Sequence, residues 1–106
     1  VTGEEAKRVE LRSSGGQSYA LSGPLTFDSV PLVWQQGLRL IRQSSNLDLD
    51  LQAVSHTDSA GLALLVVWAG EARRRRTQIE FCNVPEQLLA IARTSRLGRL
   101  FDTSPT

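Results

Sequence analysis

Residues Leu47-Asp48-Leu49-Asp50-Leu51 alternate apolar and acidic with a period of two, and no other stretch restricts the fold as much. Successive side chains of a strand point to opposite faces, so three leucines face one way and two aspartates the other. A strand buried on both faces reads as a continuous Val/Ile/Leu run instead. The second face of this strand is therefore solvated at least in part, or its aspartates find partners. Shortly after it, Asp58-Ser59 offers capping residues, and Ala60-Gly61-Leu62 opens a helix running from about Ser59 to Arg75. Leu62, Leu64, Leu65, Val66, Val67 and Trp68 make that helix apolar nearly all round. Such a helix packs on more than one side, in the core or at an interface.

The flanking segments extend this strand–helix unit into a layered α/β domain. Val9 and Leu11 alternate with polar residues over Arg8 to Arg12, Ser13-Ser14-Gly15-Gly16 forms a turn cluster, and Tyr19-Ala20-Leu21 begins a second strand toward Leu25 and Phe27. The tight turn makes these two an antiparallel hairpin. Gly23-Pro24 interrupts the pattern, and Asp28 or Ser29 then caps a helix that tolerates Pro31 in its first turn. Val30, Val33, Trp34, Leu38 and Ile41 fall at helical spacing, although Gly37 weakens that helix by ~1 kcal/mol relative to alanine. Thr77 to Cys82 is a further strand with Ile79 and Phe81 on one face. Asn83-Val84-Pro85-Glu86 starts a third helix with Leu88, Ile91, Ala92 and Ser95 along one side, and Gly98 ends it. Leu100-Phe101 is read as a short last strand. The expected order is β-β-α-β-α-β-α with a final β, in a mixed sheet whose β-α-β units are parallel and cross over right-handed.

Chain length supports one domain over residues 1–106, with loose ends at 1–6 and 102–106. The net charge of +1 gives no general reason to expect nucleic acid or an anionic membrane. Cys82 is alone, so no internal disulfide forms, and Ala60 to Gly70 is far shorter than the ~20 residues a membrane span needs. Together with the lack of a secretory pattern at the start, these features lead to the expectation of a small soluble cytoplasmic domain.

Candidate chemistry is sparse. His56, Asp58 and Ser59 invite comparison with a hydrolase triad, but three residues on one tight turn do not readily orient one another in relay, and no Gly-x-Ser-x-Gly elbow is present. His56 lacks a nearby Cys or second His for a metal, and reads as a solvated loop or interface residue. No Gly-x-x-x-x-Gly-Lys motif is present, so no P-loop of its own holds ATP. Arg73-Arg74-Arg75-Arg76 reads as a solvated helix end whose cations complement the dipole, with an acidic patch on a partner as the alternative. It wraps a helical turn without interleaved aromatics, unlike a nucleic-acid platform. Trp34 and Trp68 are read as core or as interface anchors, and Cys82 as a small buried apolar residue. Capping alone accounts for a serine at position 59. Ala60 and Gly61 add a functional reading, because their lack of bulk lets a partner approach closely. A phosphate on Ser59 would sit at the positive helix end and beside Asp58, where repulsion could break a docked interface.

The passage Leu47-Asp48-Leu49 through Val54 to Asp58-Ser59-Ala60-Gly61-Leu62-Ala63-Leu64-Leu65 resembles the signature of STAS domains, which include the anti-sigma factor antagonists of bacteria. Asn83-Val84-Pro85-Glu86-Gln87-Leu88-Leu89-Ala90-Ile91-Ala92-Arg93 resembles the strand-to-helix passage further along that family. Within the family the chain is most similar to the small stand-alone STAS subunits of Mla-type phospholipid ABC transporters, over roughly Ser18 to Phe101. The resemblance implies a STAS-like α/β fold and a non-catalytic accessory role without cofactor. It implies a partner surface at His56, Thr57, Asp58, Ser59, Ala60, Gly61 and Leu62. In the transporter branch that surface meets the ATPase subunit, which works with a permease, so the domain would sit in the cytoplasm, peripheral to the inner membrane through its partner. In the anti-sigma branch the serine matching Ser59 is phosphorylated by a partner kinase, which makes an anti-sigma factor antagonist the alternative function.

Overall fold

The computed structural model describes residues 8–101; the ends expected to be loose, 1–6 and 102–106, lie outside them. Five strands and three helices follow one another as β1 (Glu10–Gly15), β2 (Ser18–Leu25), α1 (Val30–Arg42), β3 (Asn46–Asp50), β4 (Val54–Thr57), α2 (Ser59–Arg75), β5 (Gln78–Cys82) and α3 (Glu86–Thr94). A 3-10 helix, Gly98–Phe101, follows. The sheet is mixed, as expected: β1 pairs antiparallel with β2, and β2–β3, β2–β4 and β3–β5 are parallel.

β2 has two neighbours in succession along one side. Ser18 to Ala20 pair with Asp48 to Asp50 of β3, and Gly23 to Leu25 pair with Val54 to Thr57 of β4. The joint is Gly23, at φ 87°, where a Cβ would run into the Arg8 carbonyl. Gly23-Pro24 therefore kinks the strand instead of ending it. The β1 register stops at Glu10 opposite Ser22, so Pro24 lies where β1 offers nothing for its missing N–H to bond. β4 is absent from the expected order. Its sequence, Val-Ser-His-Thr, is buried only at its two ends, so no period of two marks it. β1 also runs on through Ser13 and Ser14, and the turn itself is Gly16-Gln17.

Leu11, Leu21, Leu47, Leu49 and Phe81 supply the buried face of the sheet, on which the helices lie. On the opposite face of β3, Asp48 is exposed, whereas the Asp50 carboxylate accepts from the Asn83 side-chain amide and the Gln52 N–H at 3.0 and 2.9 Å. Both outcomes allowed by the alternation thus occur on one strand. The Asn83 bond, with the Gln52 N–H, holds the Asp50 carboxyl below its ordinary pKa.

Trp68 of α2 is 1% exposed and packs directly over Gly37 of α1, where a Cβ would overlap the indole ring. Its Nε1–H donates to the Trp34 carbonyl at 3.2 Å, so the buried indole is satisfied. Glu71 of α2 accepts from Arg42 of α1 and from Arg74, at 3.2 and 3.3 Å. Thr77 closes the far end by donating to the Ile41 and Ser44 carbonyls. Leu100 and Phe101 form no strand: Phe101 meets Phe81 edge-on at 5.7 Å, and the turn Leu100 N–H to Leu97 carbonyl winds them into the 3-10 helix. Nor does Gly98 end α3. Arg96, at φ 61°, takes that place.

Two glycine substitutions of opposite sign test this packing. Gly37→Ala improves helix propensity by ~1 kcal/mol but overpacks a ring with no room to move, at a cost of about 1–3 kcal/mol. A lower melting temperature is expected. Gly70 is exposed on α2, and an alanine methyl there would meet nothing within 4 Å. Gly70→Ala should raise stability by about 0.5–1 kcal/mol. Thermal denaturation of both variants reads the difference.

Candidate functional site

The site is assembled where the end of β2 meets the start of α2. Because Leu25 pairs with Thr57, its carbonyl accepts both the Thr57 hydroxyl, at 2.9 Å, and the Asp58 N–H, at 3.3 Å. Asp58 is in extended conformation and caps α2: its Oδ1 accepts from the Ala60 N–H at 2.8 Å. Its Oδ2 reaches the other loop and accepts from the Phe27 N–H at 3.1 Å. One carboxylate thus holds the β2–α1 and β4–α2 loops together. From the third side, Gln87 of α3 accepts from the Thr57 N–H at 3.0 Å.

The cap expected on α1 takes a different form. Ser29 has helical dihedrals and no side-chain bond into its helix. Its hydroxyl instead donates to the Pro24 carbonyl at 2.7 Å and accepts from the Thr26 N–H at 2.8 Å. That pair curls the loop back on itself and leaves Phe27 79% exposed.

Of the residues expected on the partner surface, His56 and Ser59 are exposed, and Asp58 and Ala60 are partly so. Thr57, Gly61 and Leu62 are buried. The close approach expected over Gly61 is closed from within, because a Cβ there would overlap the Thr57 hydroxyl and crowd the Leu25 carbonyl. Glycine at this position lets α2 sit against β2. Beside Ser59 lies an apolar groove of about 550 Å³, lined by Phe27, Val30, Pro31, Trp34, Ala60 and Ala63. Phe27, expected near the second strand, and Pro31, expected as a helix starter, are here surface residues. Leu32, off the buried stripe of α1, is likewise 71% exposed, whereas Phe27 precedes the helix and no local periodicity marks it.

The His56 ring lies 3.4 Å from the Ser55 hydroxyl, and its bonding does not extend to Ser59. The Asp58 oxygens are engaged by backbone N–H groups, so no relay links the three residues. Cys82 is half-buried, and burial pushes its thiol up, with Glu80, Asp48 and Asp50 adding to the shift. That is the reverse of what activates a nucleophilic cysteine. Among the described residues no group of His, Cys, Asp and Glu is placed to hold a metal, and no helix is long and apolar enough to cross a membrane.

Asp58→Ala removes an acceptor from two loops at once. A loss of about 1–2 kcal/mol is expected, within the range of a single N-cap, together with faster amide exchange at Phe27 and Ala60. Hydrogen exchange on the variant checks it.

No curated protein sequence is similar enough to count as a relative. Among solved structures, the unphosphorylated anti-sigma factor antagonist SpoIIAA superposes with a TM-score of 0.68 at 17% identity, over 87% of this chain and 84% of that one. The phosphorylated form of SpoIIAA, the Bacillus cell fate determinant, gives 0.66 at 17% identity, over 87% of this chain and 86% of that one. SLC26A9 gives 0.62 at 17% identity, covering 76% of this chain but only 16% of that much longer one. These likenesses are of fold. The family model described as "Mlab, STAS domain" matches residues 10–102. With antiparallel β1–β2, parallel strands beyond and three helices on one face, the chain belongs to the MlaB-type STAS domain family.

Proposed function

We propose that this protein is a non-catalytic accessory subunit that binds the cytoplasmic ATPase of an Mla-type phospholipid ABC transporter and supports its assembly and activity. The observation that carries this reading is the apolar groove beside Ser59. Phe27 stands in solvent next to Trp34, Pro31, Ala60 and Ala63, and a contiguous apolar patch of this kind on a small domain marks a protein contact. Phe27 and Trp34 are residues of the type that anchor interfaces. STAS domains are protein-interaction modules, and the MlaB-type family match points to a transporter as the setting. ATP and lipid are left to the other subunits, so the domain needs no cofactor.

In this reading Ser59, His56 and Ala60 meet the ATPase at the rim of the groove, and Phe27 and Trp34 fill its centre. Asp58 holds the two loops in register, whereas Thr57, Gly61 and Leu62 support the surface from beneath. Ser59→Glu places a charge at the rim, and Phe27→Asp places one at the centre. Both sites are exposed, so each variant should melt within about 0.5 kcal/mol of the parent. Each should lose co-purification with the ATPase, with Phe27→Asp weakening the complex by roughly 30-fold or more. Retention of full binding by both variants would remove this surface from the reading.

A second reading rests on the exposure of Ser59 itself. At the first turn of α2, with its hydroxyl in solvent, it is open to a kinase, and its phosphate would be held by the helix end. The domain would then act as an anti-sigma factor antagonist switched by phosphorylation. Incubation with anti-sigma factor kinases and ATP, followed by mass spectrometry, distinguishes the two: phosphate on Ser59 supports the second reading, and an unmodified chain under every pairing rejects it.

A further inference from the structure

The second half of α2 carries a second concavity, whose lining residues on that helix, Val66 to Arg73, stand about 10–21 Å along it from Ser59. Its volume is about 440 Å³; half-buried Val66 and Leu100 and the 39% exposed Leu97 supply its apolar lining, and the exposed Arg73, Arg96 and Arg99 its rim. The three arginines come from separate places: the last turn of α2, the bend after α3, and the 3-10 helix. No acid among the described residues lines it. Among the described residues none of the three arginines makes an ion pair. Seven of the chain's eleven arginines fall between Arg73 and Arg99, where the only acids are Glu80 and Glu86. Glu86 pairs with Arg93, and Glu80 lies in register with Asp48, on the opposite face of the sheet from the helices.

The backbone supplies an independent observation. α2 and α3 end alike. Thr77 N–H bonds the Ala72 carbonyl and Leu97 N–H the Ala92 carbonyl, leaving Arg76 and Arg96 in left-handed conformation at φ 60° and 61°. Glycine is the usual occupant of that position, because any Cβ is strained there. Complementing the helix dipole does not require arginine at this point, since Arg73 to Arg75 and Arg93 already occupy the last turns. Arg96 therefore holds a strained place and also lines the concavity, a coincidence expected where strain serves a binding function.

We propose that this concavity docks an acidic segment of a partner protein, which inserts an apolar side chain between the arginines. The sign of the rim selects carboxylates, whose two oxygens match the guanidinium fork. The apolar lining selects an anchoring side chain. A flat bilayer surface would not insert between the arginines, which favours a protein segment over a membrane. The site is separate from the Ser59 surface and stands whether or not the ATPase reading does.

The full chain is titrated against a fluorescein-labelled peptide of alternating glutamate and leucine, with fluorescence anisotropy as the readout. In parallel it is floated with vesicles of phosphatidylglycerol and phosphatidylethanolamine. Saturable peptide binding that weakens with salt is expected. The double variant Arg73→Glu/Arg99→Glu should weaken it by roughly tenfold or more, and Ser59→Glu should leave it intact. Arg96→Gly keeps the test independent of folding: relief of the left-handed side chain should raise the melting temperature while peptide binding falls. Equal peptide affinity in the parent, the double variant and Arg96→Gly overturns the proposal, and so does vesicle flotation without peptide binding.

Discussion

The last three residues of β2 organise the site-bearing end of the molecule. At Gly23 the strand leaves β3 and pairs with β4, and this exchange brings the Leu25 carbonyl under Thr57 and Asp58. Without it, Asp58 would cap α2 but would not reach the Phe27 N–H. The groove between α1 and α2 thus follows from a strand changing neighbours. Three small-residue positions make this possible, each for a different reason. Gly23 supplies the positive φ, Gly61 admits the Thr57 hydroxyl, and Gly37 admits the Trp68 ring.

Much of the architecture could be read from local pattern. The leucine–aspartate alternation of β3, the capped apolar helix after it and the stripe of α1 are signals with a period, and the structure contains all three. Features without a period were missed. β4 is too short and too polar to alternate, and Leu100-Phe101 is apolar in either a strand or a 3-10 helix. Only the packing of Phe101 on Phe81 decides between the two. The candidate site divides in the same way. Asp58 and Ser59 could be found because capping is local, whereas the role of Phe27 depends on the bond from its N–H to Asp58, 31 positions away. Gly61 shows the limit most clearly. Its small size was evident in the sequence, but whether it served a partner or the domain's own sheet depended on tertiary contacts.

The net charge of +1 conceals a separated distribution. Arginines gather at the end of α2 and around the 3-10 helix, whereas Asp48 and Glu80 face solvent across the sheet. A formal sum near zero therefore says little about what each face attracts. The two ends of α2 differ in the same sense. One presents an apolar groove beside a hydroxyl, and the other a concavity lined by arginines and apolar side chains.

The bare face of the sheet has a consequence of its own. Asp48 stands directly opposite Glu80 on the neighbouring strand, a like-charge pair that works against the sheet's own stability. Among the described residues one side of this layer is uncovered, and such a layer is otherwise suited to stacking on another of its kind. Carboxylates projecting from the neighbouring strands β3 and β5 make such stacking repulsive, since like charges brought together disfavour a contact. Copies meeting sheet to sheet would bring four such carboxylates together, two from each.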